Sequence, residues 1–235
     1  MRNRLYKLVQ NVGRNTFEMD TEERGLRQAI CDIGLKVWQR GYVAANDGNI
    51  SVRMDDGAVL CTPTGISKGS LTPEMICKLK IDGTIISEQP PYKTSSEVKV
   101  HLRLYQEDEK VRAVIHAHPI YGTAFAIGGH QLVNKMMPEN ILAMPVIPVA
   151  PYATPSTMQL AENIVPFVHD YSVCLMEMHG ALSWGPSLLI TYQNMERLEY
   201  TAKLTYLCAQ MGFGSRELPE AEISKLISMR SQYGL

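Results

Sequence analysis

Two Asp-Gly pairs, each set between short apolar runs, constrain this chain more than any other feature. Asn49 to Arg53 and Ala58 to Cys61 flank Met54-Asp55-Asp56-Gly57, while Leu79 to Ile81 and Thr84 to Ile86 flank Asp82-Gly83. Asp-Gly accepts the positive φ of a tight turn, so each pair predicts an antiparallel hairpin. Val111 to His118 and Ser172 to His179 are two more strand candidates. Helical spacing surrounds these runs. Leu26, Ile30, Ile33, Val37 and Trp38 recur along residues 21–40, with Thr21 as cap and Gly41 as stop. A second helix opens at Ser95 or Ser96 and carries Val98, Leu102 and Tyr105 on one face. Ser156 and Gln159 fit a capping box for a helix that Pro166 ends or bends. Residues 192–211 read as a long helix, and Pro219 opens a last one reaching Arg230. Hairpins flanked by helices predict an α/β fold with a central, mainly antiparallel sheet. No repeat or linker divides the 235 residues, so one domain is expected over 1–235, with 1–20 as an N-terminal extension.

Charge narrows the function classes. Lys+Arg is 23 and Asp+Glu is 24, which argues against a nucleic-acid partner held by a broad basic surface. A small phosphorylated substrate stays compatible. No apolar run approaches the roughly 18 residues of a membrane span, and Met1 to Gln10 lacks the apolar stretch of a secretory signal. The 5 cysteines are scattered without a C-x-x-C, so reduced, core-filling thiols in a cytoplasmic protein are expected.

Six histidines carry the first chemical signal. His116 and His118 stand two apart on a strand candidate, so both side chains leave the same face. Two fixed imidazoles make a good start for a transition-metal site. His179 ends another strand candidate and precedes Gly180. An H-x-H by itself also arises by chance. His101, His130 and His169 are expected to be solvated or capping residues.

Three segments suit an anion. They are Asp47-Gly48-Asn49-Ile50-Ser51, Thr62-Pro63-Thr64-Gly65-Ile66-Ser67-Lys68 and Thr94-Ser95-Ser96-Glu97. Hydroxyls, an Asn amide and free backbone N–H groups can surround a phosphate without Arg, and a helix start at Ser95-Ser96 adds a favourable dipole. Each segment alone also reads as a turn or cap. Glu97, at the first turn of a helix, is either an ordinary cap partner or, beside the H-x-H, a fourth ligand or general base.

In order and spacing, Gly48-Asn49-Ile50-Ser51, Thr62-Pro63-Thr64-Gly65, Ser95-Ser96-Glu97, His116-Ala117-His118-Pro119 and His179-Gly180 resemble the class II aldolase/adducin family over about residues 22–210. The resemblance implies a single α/β/α domain and a fourfold homotetramer with active sites between subunits. It implies zinc on His116, His118 and His179, with manganese, cobalt or iron as alternatives, and Glu97 as the acid beside it. It implies substrate phosphate at Gly48, Asn49, Thr64, Gly65, Ser95 and Ser96. A Glu at position 97 leans toward sugar-phosphate aldolases, hence retro-aldol cleavage of a ketose 1-phosphate to dihydroxyacetone phosphate and an aldehyde. Epimerase, dehydratase and decarboxylase chemistries use the same scaffold, and adducin is a non-enzymatic relative. There is one departure. The Tyr that donates a proton in fuculose-phosphate aldolase is missing from Val133 to Glu139, where counting puts Met137. Glu139, or Tyr233 from a neighbouring subunit, is then expected to supply the second acid.

Overall fold

Helix α1 (Thr21–Gln39) buries Ile30, Ile33 and Val37 along one stripe. It stops in a Schellman turn, in which the Tyr42 N–H donates to the Val37 carbonyl (3.0 Å) and the Gly41 N–H to the Trp38 carbonyl (2.9 Å). Gly41 sits at φ +70°, as the sequence predicts for a helix stop. The computed structural model describes residues 21–214 and 216–233. The extension expected over residues 1–20 lies outside them.

After α1 the chain builds the sheet edge. Strand β1 (Asn49–Arg53) pairs antiparallel with β2 (Val59–Cys61), β2 with β3 (Cys77–Leu79), and β3 with β4 (Ile85–Ser87). Both Asp-Gly hairpins are present. The second lies slightly off the expected position, because the strand into it begins at Cys77 and ends at Leu79. Lys80 N–H already bonds the Thr84 carbonyl (2.8 Å), which leaves Ile81 inside the turn. Helix α2 (Val98–Glu107) leads into β5 (Ala113–Ala117), whose five residues are all buried. Next come α3 (Ile120–Ile127), β6 (Leu132–Val133), α4 (Pro138–Ala143), β7 (Val146–Ile147) and β8 (Val149–Ala150). The chain closes with α5 (Met158–Ile164), β9 (Val173–Met176), β10 (Gly180–Gly185), α6 (Leu188–Gln210) and α7 (Glu220–Met229).

The main sheet has the order β4-β3-β2-β1-β5-β10-β9-β8, and its strand pairs are antiparallel except β8 with β9. The alternation of β5 divides the core. Ala113, Ile115 and Ala117 face Ile30, Val37, Met195 and Leu198 of α1 and α6. Val114 faces the opposite layer, with Leu102 and Leu104 of α2 and Leu160 and Ile164 of α5. Helices therefore cover both faces of a mainly antiparallel sheet, as the resemblance implied.

Three local readings are corrected. The cap of α5 is Thr157, whose Oγ1 accepts from Leu160 N–H (3.4 Å), and Ser156 instead takes φ +66° in the preceding loop. Helix α6 starts at Leu188, four residues before the expected 192. Ser187 Oγ caps it, and Leu188, Thr191 and Tyr192 are already buried. His101 is neither solvated nor a cap: it is 1% exposed under the sheet. His130 and His169 are exposed, as expected. Of the free cysteines Cys31, Cys61, Cys77 and Cys174 are buried. No helix among the described residues is long and apolar enough to cross a membrane.

Candidate active site

Strand pairing places the histidines. His116 lies between Asn49 of β1 and Leu182 of β10, and His118 stands just past Ala117, the last residue of β5. His179 occupies the tight turn between β9 and β10, after Met178 at φ +57°. The ligand atoms of His116, His118 and His179 all lie within 4.8 Å of one another. The Nε2 atoms of His116 and His118 are 3.1 Å apart. His116 Nδ1 contacts the Ala181 carbonyl at 3.0 Å. A carbonyl only accepts, so Nδ1 carries the hydrogen and Nε2 presents its lone pair to the cluster. His118 Nδ1 lies 3.3 Å from Asp47 Oδ2, which fixes the same tautomer.

Glu97 sits at the N-cap position of α2 and faces the cluster. Its Oε2 is 3.4 Å from His116 Nε2 and its Oε1 is 3.7 Å from His179 Nε2. Its side chain makes no capping bond to the helix, so the cap-partner reading of the sequence gives way to the ligand or base reading. Burial, then the nearby negative charge of Asp47, pushes the Glu97 carboxyl up from its ordinary range. Burial pulls His116 well below the usual imidazole range, and it pulls His179 down to about 4. Neutral imidazoles are what a metal ligand requires. Three convergent nitrogens and a carboxylate suit a divalent cation, and the fourth group is one that a substrate can displace. Hence the residues present fit the ion that the resemblance implied.

The three small-residue segments converge beside this cluster. Asn49 Nδ2 donates to Ser95 Oγ (3.2 Å). Pro63 forms a bridge with Thr94, and Thr64 N–H bonds the Lys93 carbonyl (2.8 Å). Thr62 Oγ1 caps the Ile50 N–H (3.1 Å) at the start of β1. Gly48 takes φ +73°, and a Cβ there would lie 2.7 Å from the His116 carbonyl oxygen. Only glycine lets this loop cross so close to the strand that carries the histidines. Gly48, Thr64, Gly65, Ser95 and Ser96, with Asn49 at the start of β1, therefore lie on segments tied to one another near Glu97.

Two of the expected residues lie elsewhere. Glu139 is exposed in the first turn of α4. Tyr233 is 60% exposed in the short turn after α7 and lines a separate groove with Met137, Ile120 and Arg40. Neither makes a hydrogen bond or ion pair with the triad within one chain.

Sequence reasoning missed several neighbours of the site. It quoted Asp47 only as part of an anion loop, and the structure sets it against His118. It read Ser156 as a helix cap, yet Ser156 Oγ lies 2.9 Å from Ser96 Oγ. His101 Nδ1 meets Ser51 Oγ at 2.7 Å, and His101 shares a small cavity with Glu97, His116 and His179. Only the alternation of β1, which turns Ser51 to the same face as Asn49, could have hinted at this.

Comparison with known proteins turns the resemblance into a finding. Residues 28–206 match the family described as the class II aldolase and adducin N-terminal domain. The chain belongs to this family. Among curated relatives of this class II aldolase-fold chain, it is 32% identical over 210 residues to the 3-oxo-tetronate 4-phosphate decarboxylase of Escherichia coli strain K12, covering 88% of this chain and 97% of that one. It is 33% identical over 178 residues to an L-fuculose phosphate aldolase of Methanococcus maripaludis, covering 76% and 93%. The solved structure of an L-fuculose 1-phosphate aldolase superposes with a TM-score of 0.80 at 26% identity, covering 92% and 98%. The family's enzymes are generally dependent on a divalent metal, and the histidine triad here could hold one.

Proposed function

We propose that this protein is a metal-dependent lyase that decarboxylates a phosphorylated 3-oxo sugar acid. The observation that carries the reading is the placement of Glu97: one carboxylate, its pKa raised by burial, faces the imidazoles of His116 and His179 beside loops rich in amides and hydroxyls. The 32% identity with a 3-oxo-tetronate 4-phosphate decarboxylase, over an alignment that covers 88% of this chain, supports this chemistry. So does the proton count. Loss of CO2 breaks the C1–C2 bond and leaves its electron pair in an enediolate over C2 and C3. One proton delivered to C2 then completes the product. Retro-aldol cleavage needs in addition a group to take the proton of the C4 hydroxyl. Among the described residues of one chain, Glu97 and Asp47 are the carboxylates against the triad, and Asp47 is engaged by His118 Nδ1, so a group for the C4 hydroxyl would have to come from a neighbouring subunit.

The residue roles follow. His116, His118, His179 and Glu97 would hold zinc, or manganese, cobalt or iron in its place. Bound there, the cation would act as a Lewis acid toward the charge developing on the substrate carbonyl oxygen. Gly48, Asn49, Thr64, Gly65, Ser95 and Ser96 bind the phosphate and fix the reacting carbon near Glu97. Glu97 holds the proton and passes it to C2. The chain acts as one domain in a fourfold homotetramer, and Glu139 and Tyr233 meet the substrate only from a neighbouring subunit.

Aldol cleavage of a ketose 1-phosphate is the second reading. It is favoured by the relatives named L-fuculose phosphate aldolase, at 33% identity. One assay separates the two. The metal-loaded protein is given 3-oxo-tetronate 4-phosphate and, in parallel, fuculose 1-phosphate, with and without a chelator. Chelator-sensitive CO2 release from the first is expected. Dihydroxyacetone phosphate from the second, without CO2 from the first, would replace decarboxylation by aldol cleavage.

A further inference from the structure

Lys68 is 1% exposed, one of the largest fully buried side chains among the described residues. Its Nζ donates to the Asn46 carbonyl at 2.9 Å and to the Ile66 carbonyl at 2.7 Å. Asn46 is two residues before Gly48, and Ile66 follows Gly65. One ammonium thus ties together two of the three segments assigned to the phosphate. The backbone around Lys68 is fixed from behind. A Cβ on Gly34 of α1 would lie 2.8 Å from the Lys68 carbonyl oxygen, and one on Gly69 would lie 2.6 Å from the Trp38 ring. The tie therefore has a rigid base.

The charge itself is unbalanced. Among the described residues no carboxylate lies within ion-pair distance of Lys68. Asp47 is the charged group the structure couples to it, at longer range. Burial pulls the Lys68 ammonium down to about 8, which still leaves it mostly charged at neutral pH. Two carbonyls solvate a buried ammonium only in part, and buried charges normally find a counter-ion. A dianion seated on the adjoining loops would supply one.

We propose that Lys68 is a positioning residue for the substrate's phosphate group, joining the Asn46–Asn49 and Thr64–Ser67 loops and setting an unneutralised positive charge beside them. This rests on the phosphate reading above and adds the cation which that reading lacked. The ligand class is a phosphate dianion or phosphomonoester. The six expected phosphate contacts give hydrogen bonds without net charge, and Lys68 gives the charge without touching the ligand.

The test compares the zinc-loaded wild-type protein with K68M and K68Q. Inorganic phosphate binding is measured by calorimetry, steady-state kinetics with the phosphorylated substrate, and zinc by elemental analysis. Phosphate affinity is expected to fall about 10- to 100-fold in both variants, the range of one unit charge acting through space across a partly buried site. The kinetic loss should fall on KM rather than kcat, with zinc retained. A purely structural lysine would instead lower zinc content, kcat and affinity together, and that result overturns the proposal. Wild-type phosphate affinity in K68Q overturns it as well. A wild-type protein that turns over substrate yet binds no inorganic phosphate, and prefers the unphosphorylated sugar acid, overturns the phosphate reading itself. Should neither variant fold, the Lys68 Nζ resonance of 15N-lysine-labelled wild-type protein must shift on phosphate addition. A resonance that stays in place overturns the proposal.

Discussion

His116 is held on both flanks by strand pairing and by the Ala181 carbonyl, so its Nε2 is aimed without help from a ligand. Removing it takes away a fixed donor, and His116→Ala is expected to lose bound zinc, as read by elemental analysis. Glu97→Gln keeps the shape but cannot hold or release the proton. It should retain metal and lower kcat by about 100-fold or more. A near-normal rate would remove Glu97 from the proton path. His101 gives a different prediction. Burial lowers it from 6.5 to about 3, so the folded protein keeps it neutral where the unfolded chain protonates it. The unfolded state therefore binds the extra proton between these values, and stability present above pH ~6.5 is lost as pH falls toward 3. His101→Gln should flatten the urea-unfolding stability slope between pH 6 and 4 by about 1.4 kcal/mol per pH unit, the value of one proton. An unchanged slope would assign the loss to other groups.

The end of β5 before His118 and the start of β10 after His179 meet at a glycine. A Cβ on Gly180 would lie 2.5 Å from His118 Cδ2 and 2.8 Å from the Ala117 carbonyl oxygen. Its backbone is ordinary, so the requirement is space, not φ. Gly180→Ala is expected to push His118 off the cluster and to weaken zinc binding at least 10-fold, the scale seen when a ligand's support is altered. The sheet should survive, with circular dichroism unchanged. Tight zinc binding in this variant would mean that β10 can shift away at little cost. The element scale also separates what was legible from what was not. The hairpins at Asp56-Gly57 and Asp82-Gly83 and the stop at Gly41 were readable because backbone sterics act within a few residues. The start of α6 was not, because Leu188 and Thr191 are buried by the sheet while Leu189 and Ile190 between them stay exposed, a burial pattern that only the packed structure defines.

Taken whole, the chain brings Glu97, His116, His118 and His179 together within one subunit and leaves Glu139 and Tyr233 apart from them. We predict a four-chain particle by light scattering. Its dissociation should lower activity if either outlying residue reaches a neighbour's site. A fully active monomer would exclude Glu139 and Tyr233 from the reaction. The same scale explains the misreading of His101. Its sequence surroundings are those of an amphipathic surface helix, and only the docking of α2 on β1 makes its face an inner one.

The sequence by itself determined the strand alternation that sends His116 and His118 to one face. It also determined the helix stop at Gly41, and the order of motifs that marks the family. These depend on short-range sterics and on residue type. Tertiary structure decided which carboxylate stands against which imidazole: Asp47 on His118, and Glu97 between His116 and His179. It also decided that Lys68 would be buried as a cation with no carboxylate within ion-pair distance among the described residues. Such choices depend on which segments, far apart along the chain, are pressed together when the sheet and its two helical layers exclude water, and no local rule carries that information.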